Sequence, residues 1–232
     1  PACAGRSNHR MGEMVNQKVA ETRKVIADFI NAHSADEISF TRNTTEGINL
    51  VAKGLEFQKG DAVLISDKEH NSNLIPWQIL KEEKGIELKI VPSKEDNTFD
   101  LEVFKKLIEP KVKLVSIVFT SNLDGVSNPV KEITKISHQN GSLVLIDGAQ
   151  TVGHQKIDVR DLDCDFFVFS GHKMLGPSGM GALYIKKKLA EKLRPFIVGG
   201  GIVEDSTYES HKLLEAPSKF EAGLQDYAGI IG

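Results

Sequence analysis

The sequence predicts an α/β fold, with a mostly parallel β-sheet that carries helices on both faces. Five short runs are apolar at successive positions, as are strands buried on both faces of a parallel sheet. Segments with apolar residues at helical spacing lie between most of these runs, and this alternation is typical of the class. Polar residues also follow four of the runs directly, which is where open α/β sheets bind ligands.

The first elements precede this alternation. Apolar residues recur at helical spacing over residues 11–32 and predict a long helix. A short strand is expected over 37–41. A second helical pattern, over 48–53, begins after Thr44 and Thr45, and threonine is a residue type that caps helix N-termini.

Strands and helices then alternate as far as residue 185. We expect a strand wherever a run is apolar on both faces, and a helix wherever the spacing is helical. The predicted strands are 62–65, 114–119, 143–146, 166–169 and 182–185, and the predicted helices are 74–84, 101–109 and 130–140.

Composition excludes several classes of protein. The chain has 232 residues, 40% hydrophobic and 26% charged, which is the composition of a globular protein and not of a disordered one. Its 29 basic and 32 acidic residues give a net charge of −3, which lacks the broad positive field of nucleic-acid-binding proteins. No stretch approaches the roughly 20 apolar residues that cross a bilayer, so no membrane partner is expected.

The cysteine count and the chain ends predict location and domain organisation. Two cysteines, Cys3 and Cys164, cannot form a disulfide framework, and no signal peptide is visible, so we expect a cytoplasmic protein. Residues 1–200 are expected to form one large domain that lacks its N-terminal part. Residues 201–232 are expected to begin the connection towards a missing C-terminal domain.

Asp147 and Lys173 are the most informative polar residues. Asp147 ends an apolar strand, where an unpaired carboxylate would be costly. It could cap a turn, as aspartate often does, or it could pair with a cationic atom of a ligand. Lys173 follows the strand 166–169 beside a glycine-rich turn, where the backbone can approach a ligand closely. Partial burial lowers the pKa of a lysine amine. If Lys173 is partly buried there, its amine can act as a nucleophile.

The other strand ends supply further candidates. Thr44 and Thr45 open a helix, where hydroxyl and N–H groups can hold a phosphate or serve only as a cap. His70 lies in a polar segment after strand 62–65. Asn122 and Gln150 follow two further strands and say little alone.

Ser170 and Cys164 are weaker candidates for a catalytic nucleophile. Ser170 and Lys173 match the Ser-x-x-Lys pattern of acyl-enzyme hydrolases, which requires a helix. The glycines and the proline that follow disfavour a helix there. Cys164 stands between two aspartates, which disfavour its thiolate, so it is a poor nucleophile.

Taken in order, these motifs resemble those of the group II cysteine desulfurases, within the class V aminotransferases. The ordered set is highly specific, whereas any one member is not. The resemblance covers about residues 11–232. It is carried by Phe40-Thr-Arg-Asn-Thr-Thr-Glu-Gly-Ile-Asn-Leu-Val-Ala52, Glu69-His-Asn-Ser-Asn-Leu-Ile-Pro-Trp77, Asp147-Gly-Ala-Gln150, Ser170-Gly-His-Lys-Met-Leu-Gly-Pro177 and Phe220-Glu-Ala-Gly223.

The resemblance implies a fold type I large domain that binds pyridoxal 5'-phosphate. Lys173 would form the Schiff base with the cofactor and move a proton at the substrate. Asp147 would pair with the pyridine nitrogen and favour its charge. The remaining contacts implied are Gln150 with the phenolic oxygen, Asn122 beside the ring, His70 stacked on the ring as a second catalytic residue, and Thr45, Ser170 and His172 with the phosphate, next to Thr44.

The implied reaction converts L-cysteine to L-alanine and leaves the sulfur on an enzyme cysteine as a persulfide. By the same resemblance the enzyme is a homodimer that serves iron–sulfur cluster assembly and passes sulfur to an acceptor protein. The persulfide cysteine and an arginine for the substrate carboxylate are expected beyond Gly232. Alternatives are a selenocysteine lyase, another class V lyase or epimerase, and, in a different class, a non-catalytic scaffold with the same fold.

Overall fold

A computed structural model describes residues 9–232 of the chain. A seven-stranded sheet lies at its centre and contains every strand that the sequence predicts. These strands end within two residues of their predicted bounds. The strands are β1 (Ile38–Thr41), β2 (Ala62–Ser66), β3 (Glu87–Val91), β4 (Val112–Val118), β5 (Leu143–Asp147), β6 (Phe166–Ser170) and β7 (Gly181–Ile185).

The sheet is mostly parallel, and the predicted fold class is confirmed. The strands follow the order β1-β7-β6-β5-β4-β2-β3. Strands β2 to β6 run parallel to one another, whereas β7 runs antiparallel to both β6 and β1. The carboxyl ends of β1, β2, β4, β5 and β6 therefore meet at one edge.

Helices cover both faces of this sheet. No helix among residues 9–232 is long and apolar enough to cross a membrane. The first helix ends three residues before its predicted limit, because Asn31 adopts a left-handed conformation that cannot continue it. The helices are α1 (Arg10–Phe29), α2 (Thr44–Gly54), α3 (Ile75–Lys84), α4 (Leu101–Leu107), α5 (Val130–Gln139), α6 (Val159–Leu162), α7 (Lys187–Ala190) and α8 (Tyr227–Ile231).

Two apolar cores form because successive strand residues point to opposite faces. In β5, Val144 and Ile146 join the core beneath α1, α4, α5 and α6, whereas Leu145 joins the core beneath α2, α3 and α7. All three are fully buried. Each such side chain contributes roughly 1.5–3 kcal/mol, so burial on both faces accounts for the continuous apolar runs in the sequence.

The sequence does not predict three parts of the fold: strand β3, a β-hairpin, and the short helices α6, α7 and α8. Strand β3 lies at the sheet edge, and of its five residues only Val91 is buried, so it lacks a continuous apolar run. A separate hairpin of β8 (Val203–Ser206) and β9 (His211–Leu213) is largely exposed and polar. The division of the chain at residue 200 stays a prediction.

The connections between strands change direction between β2 and β4. Strand β2 leads through α3 to β3 on one side, whereas β4 leads through α5 to β5 on the other. Open α/β sheets bind ligands at such a switch point, outside the carboxyl ends of the strands. The topology therefore favours a site between the loop after β2 and the ends of β4 and β5.

Gly148, directly after β5, leaves no room for a side chain. A Cβ atom there would lie 2.1 Å from a ring carbon of Phe167, which is itself fully buried. We expect Gly148→Ala to destabilise the full-length protein by about 1–3 kcal/mol through overpacking. This corresponds to a fall in Tm of roughly 2–10 °C, measured by thermal unfolding. Gly200→Ala is the control, because its added Cβ would meet nothing within 4 Å. Equal Tm values for the two variants would contradict the prediction.

Candidate active site

A cavity of about 280 Å³ opens at the edge where the strand ends meet. A larger cavity of about 560 Å³ beside α7 contains none of the strand-end residues. The smaller cavity brings together all nine site residues predicted from the sequence: Thr44, Thr45, His70, Asn122, Asp147, Gln150, Ser170, His172 and Lys173.

Asp147 is a buried carboxylate at the end of β5. It is only 2% exposed, and its Oδ1 accepts a hydrogen bond from the Ala149 N–H at 2.9 Å. Burial raises the pKa of Asp147, and this effect is opposed by the Ala149 hydrogen bond and by the charge of Lys173. The aspartate thus shapes a local turn and also faces the cavity. A buried carboxylate with so little compensation favours a cationic partner.

Lys173 lies in the 3₁₀ turn Gly171–Met174 that follows β6. The turn is closed by hydrogen bonds from the Gly171 N–H to the Met180 carbonyl and from the Gly176 N–H to the Gly171 carbonyl. Lys173 is half-buried and acts on Asp147 electrostatically. Because no hydrogen bond engages its amine within residues 9–232, the amine is available to a ligand in the cavity.

The start of α2 forms a cluster of hydroxyl groups in the cavity. The cap of this helix is Asn43, whose side chain accepts from the Glu46 N–H at 3.0 Å, so the alternative that the threonines serve only as caps is wrong. Thr44 donates its N–H to Ser170 Oγ at 2.9 Å, and Thr45 Oγ1 lies 2.7 Å from Ser72 Oγ. Hydroxyl groups at a helix N-terminus favour an anion such as phosphate.

The contacts of Ser170 weaken the hydrolase alternative. Its hydroxyl lies 2.8 Å from that of Thr44, and it is 2% exposed. The segment that follows is a 3₁₀ turn rather than the α-helix that a Ser-x-x-Lys site needs. Within the described residues, Ser170 is therefore engaged with α2 and not with Lys173.

His70 has a defined ring tautomer. Its Nδ1 lies 3.1 Å from the Ser72 backbone nitrogen, which can only donate. Nδ1 must therefore accept, and the proton of the neutral ring is on Nε2. His70 is exposed at the mouth of the cavity, as Asn122 and His172 are, whereas Gln150 is half-buried.

Sequence reasoning missed two polar residues next to His70. Ser72 lines the cavity and bridges His70 to Thr45. Glu69 lies beneath the site and bonds to β4. A serine two residues after a histidine is a signal for such a bridge, because serine commonly forms short-range turns through its hydroxyl and N–H. Nothing in the sequence alone marks the Glu69 contact.

Cys164 is unsuited to reaction with a substrate. It is fully buried, and burial strongly raises the pKa of its thiol, with the neighbouring Asp165 adding to this effect. A buried thiol of this kind is inert, so the expectation from the sequence is confirmed. Cys3 lies outside the described residues.

A mostly parallel sheet with helices on both faces, and with Lys173 and Asp147 at its ligand-binding edge, defines the large domain of a fold type I protein. The family model for aminotransferase class V matches residues 2–232, and the chain belongs to this family.

Relatives and solved structures agree with this placement. The cysteine desulfurase of Shigella sonnei (strain Ss046) is 43% identical over 235 residues, which cover 100% of this chain and 58% of the relative. The apo structure of cysteine desulfurase from Thermococcus onnurineus NA1 matches with a TM-score of 0.95 and 40% identity, over 99% of this chain and 58% of that chain. A mutant of C-DES with glycine covalently linked to the PLP cofactor matches with a TM-score of 0.87 and 26% identity, over 96% of this chain and 61% of that chain. The chain thus spans less than two thirds of these proteins.

Proposed function

We propose that the whole protein is a pyridoxal-phosphate-dependent cysteine desulfurase, which converts L-cysteine to L-alanine and transfers the sulfur to a cysteine. The observation that carries this proposal is the shared cavity of Lys173 and Asp147 at the switch point of the sheet. The 43% identity to a cysteine desulfurase supports it.

The groups that line the cavity fit the chemistry of this cofactor. The buried Asp147 carboxylate, which accepts a hydrogen bond from the Ala149 N–H, suits a protonated ring nitrogen. The hydroxyls at the start of α2 suit a phosphate. The amine of Lys173 suits an aldehyde, to which it can attach covalently. When bound, pyridoxal phosphate supplies an electron sink for negative charge at the α-carbon of the substrate.

Each residue has a distinct task in this proposal. Asp147 would keep the proton on the ring nitrogen of the cofactor, and His70 would contact the ring. Lys173 holds the cofactor, and its amine then moves a proton at the α-carbon of cysteine, an acid–base role that typically contributes about 10²–10⁴-fold in rate. Gln150 and Asn122 would contact the ring and help to orient it.

The proposal includes a cysteine that accepts the sulfur, and this cysteine is not Cys164. Because that thiol is fully buried, we assign the persulfide to another cysteine of the whole protein. A homodimer, an acceptor protein for the sulfur, a role in iron–sulfur cluster assembly and a cytoplasmic location belong to the same proposal.

Alanine release tests this function directly. We expect the full-length protein, loaded with pyridoxal phosphate and supplied with L-cysteine and a thiol reductant, to form alanine and sulfide in equal amounts. Amino-acid analysis and a sulfide assay measure the two products. L-Serine in place of L-cysteine is the control, because its hydroxyl is not a sulfur donor. A loaded protein that forms no alanine from L-cysteine would contradict the proposal, and faster turnover of L-selenocysteine would redirect it to a selenocysteine lyase.

A further inference from the structure

Glu69 occupies the gap where strands β2 and β4 separate. The paired register of these strands runs from Ala62 to Leu64 on β2, and β2 ends at Ser66. Val118, the last residue of β4, is paired on its other side with Asp147. Its N–H has no strand to bond on the β2 side and donates instead to Glu69 Oε1 at 3.0 Å. Glu69 thus contacts β4 at the residue paired with Asp147.

The contacts of Glu69 suit a group that accepts hydrogen bonds on both oxygens. Besides the Val118 N–H, the Ser66 hydroxyl donates to Oε1 and the Asn73 amide donates to Oε2, each at 2.6 Å. The orientation of Asn73 is fixed, because the Trp77 indole N–H can only donate, and it donates to Asn73 Oδ1 at 3.1 Å. The Val118 N–H and the Asn73 amide are therefore fixed donors to the two carboxyl oxygens, and a group that accepts on both oxygens satisfies them.

Glu69 also immediately precedes His70. The other side of this loop is held by Ser72, whose hydroxyl lies 3.0 Å from His70 Nδ1 and 2.7 Å from Thr45 Oγ1. The loop is thus tied to β4 through Glu69 and to α2 through Ser72. His70 lies between these two attachments, at the mouth of the cavity.

We propose that Glu69 is a positioning residue of this site, which ties the His70 loop to the end of β4 beside Asp147 and so fixes where the His70 ring lies. It does not touch the cavity itself, so it acts through His70. The inference rests on the proposed function in that His70 is taken to contact the bound cofactor.

The electrostatic cost of Glu69 agrees with a specific role. Glu69 as a residue is half-buried, but its carboxylate lies in a densely packed region, and this burial raises its pKa to about 7. The hydrogen bonds from Ser66, Val118 and Asn73 lower the pKa, whereas the charge of Asp147 on β5 raises it further. Among residues 9–232, no basic side chain forms an ion pair with it. Because folding raises the pKa of Glu69, its ionisation lowers the free energy of unfolding, and this loss grows as the pH rises from about 4.5 towards 7.

The Glu69→Gln variant of the full-length protein tests the proposal. Glutamine is neutral, so the variant lacks the electrostatic cost of the buried charge. Its side-chain NH₂ group, however, must face a donor: either the Asn73 amide, or the Ser66 hydroxyl and the Val118 N–H. We expect the variant to fold, with the loop loosened. Two measurements on the cofactor-free protein follow: the imidazole NMR signals of His70, assigned with His70→Gln, and the Kd for pyridoxal 5'-phosphate by fluorescence titration.

In the wild type, the His70 signals should be those of the single Nε2–H tautomer. In Glu69→Gln they should move towards those of a mobile, solvent-averaged ring, and the Kd should rise at least about tenfold. Glu102→Gln, an exposed glutamate on α4, is the matched control and should change neither measurement. Unchanged His70 signals and an unchanged Kd in Glu69→Gln would overturn the proposal.

A second variant decides the matter if Glu69→Gln does not fold. Ser66→Ala removes one donor to Glu69 and keeps the charge, so we expect the same change in the His70 signals at smaller size. Unchanged signals in Ser66→Ala would then overturn the proposal. Alanine formation by the wild type, measured in parallel, judges the proposed function separately. If alanine forms while Glu69→Gln leaves His70 unaffected, only the positioning role fails.

Discussion

Replacing Lys173 by alanine in the full-length protein is expected to lower the rate of alanine formation from L-cysteine by at least about 10²–10⁴-fold. Proton transfer by a positioned side chain contributes a factor of this size. The variant also loses the amine that would attach the cofactor, so visible absorbance from covalently held pyridoxal phosphate should disappear. Amino-acid analysis of alanine and an absorption spectrum of the purified protein are the two measurements.

Lys188→Ala is the matched control for this experiment. Lys188 is an exposed lysine on α7 that does not line the cavity containing Lys173. It should retain the wild-type rate and spectrum. If the two alanine variants were equally active, the cavity around Lys173 would have no part in the reaction.

Replacing Asp147 by asparagine is expected to lower alanine formation by roughly 10²–10⁴-fold and to weaken cofactor binding. Removing one partner of a buried charge pair costs about 3–5 kcal/mol, and each 1.4 kcal/mol is a factor of ten. Asparagine keeps the oxygen that accepts from the Ala149 N–H, so the local turn should survive. Rates and the Kd for pyridoxal 5'-phosphate measure the effect.

Although Asp147→Asn should lower activity, we expect it to preserve or raise the stability of the cofactor-free protein. Because burial raises the pKa of Asp147, its ionised form costs folding energy at pH values above the pKa of an unfolded aspartate. Asp147→Asn removes that cost, so its Tm should equal or exceed that of the wild type, with the gain growing as the pH rises. Asp161→Asn, at an exposed position on α6, should alter neither rate nor Tm by a comparable amount. A large loss of Tm in Asp147→Asn would mean that the residue is structural.

The parts of the fold that burial dictates are predictable from the sequence. Strands such as β5 and β6 are apolar at almost every buried position, so the sequence predicts where they lie and which polar residues follow them. The same pattern marks Asp147 and Lys173 as candidate site residues, because each lies at or just beyond the end of such a strand. The sequence does not reveal the edge strand β3, because most of its residues are exposed or half-buried and it lacks the continuous apolar run of a buried strand.

Burial patterns do not predict which residue caps α2, nor do they predict the contact of Glu69 with β4 next to His70. Thr44 and Asn43 are both good capping types, and only the backbone conformation decides that Asn43 takes this position. The hydrogen bond that the Val118 N–H donates to Glu69 joins residues 49 positions apart. Contacts of this range depend on how two strands separate in space, for which a single sequence has no local pattern.

The bond between the start of α2 and the end of β6 has a consequence for how the protein folds. Thr44 and Ser170 are 126 positions apart, and β1 pairs with β7 over a similar separation. Loops of this length close late, because their entropy must be lost before any contact compensates for it. If the hydroxyls of Thr44 and Ser170 hold a phosphate as proposed, a newly made chain completes that part of the site only after β6 has been synthesised and the edge strand β1 has joined the sheet. Ligand capture would then report that the two ends of the sheet have come together.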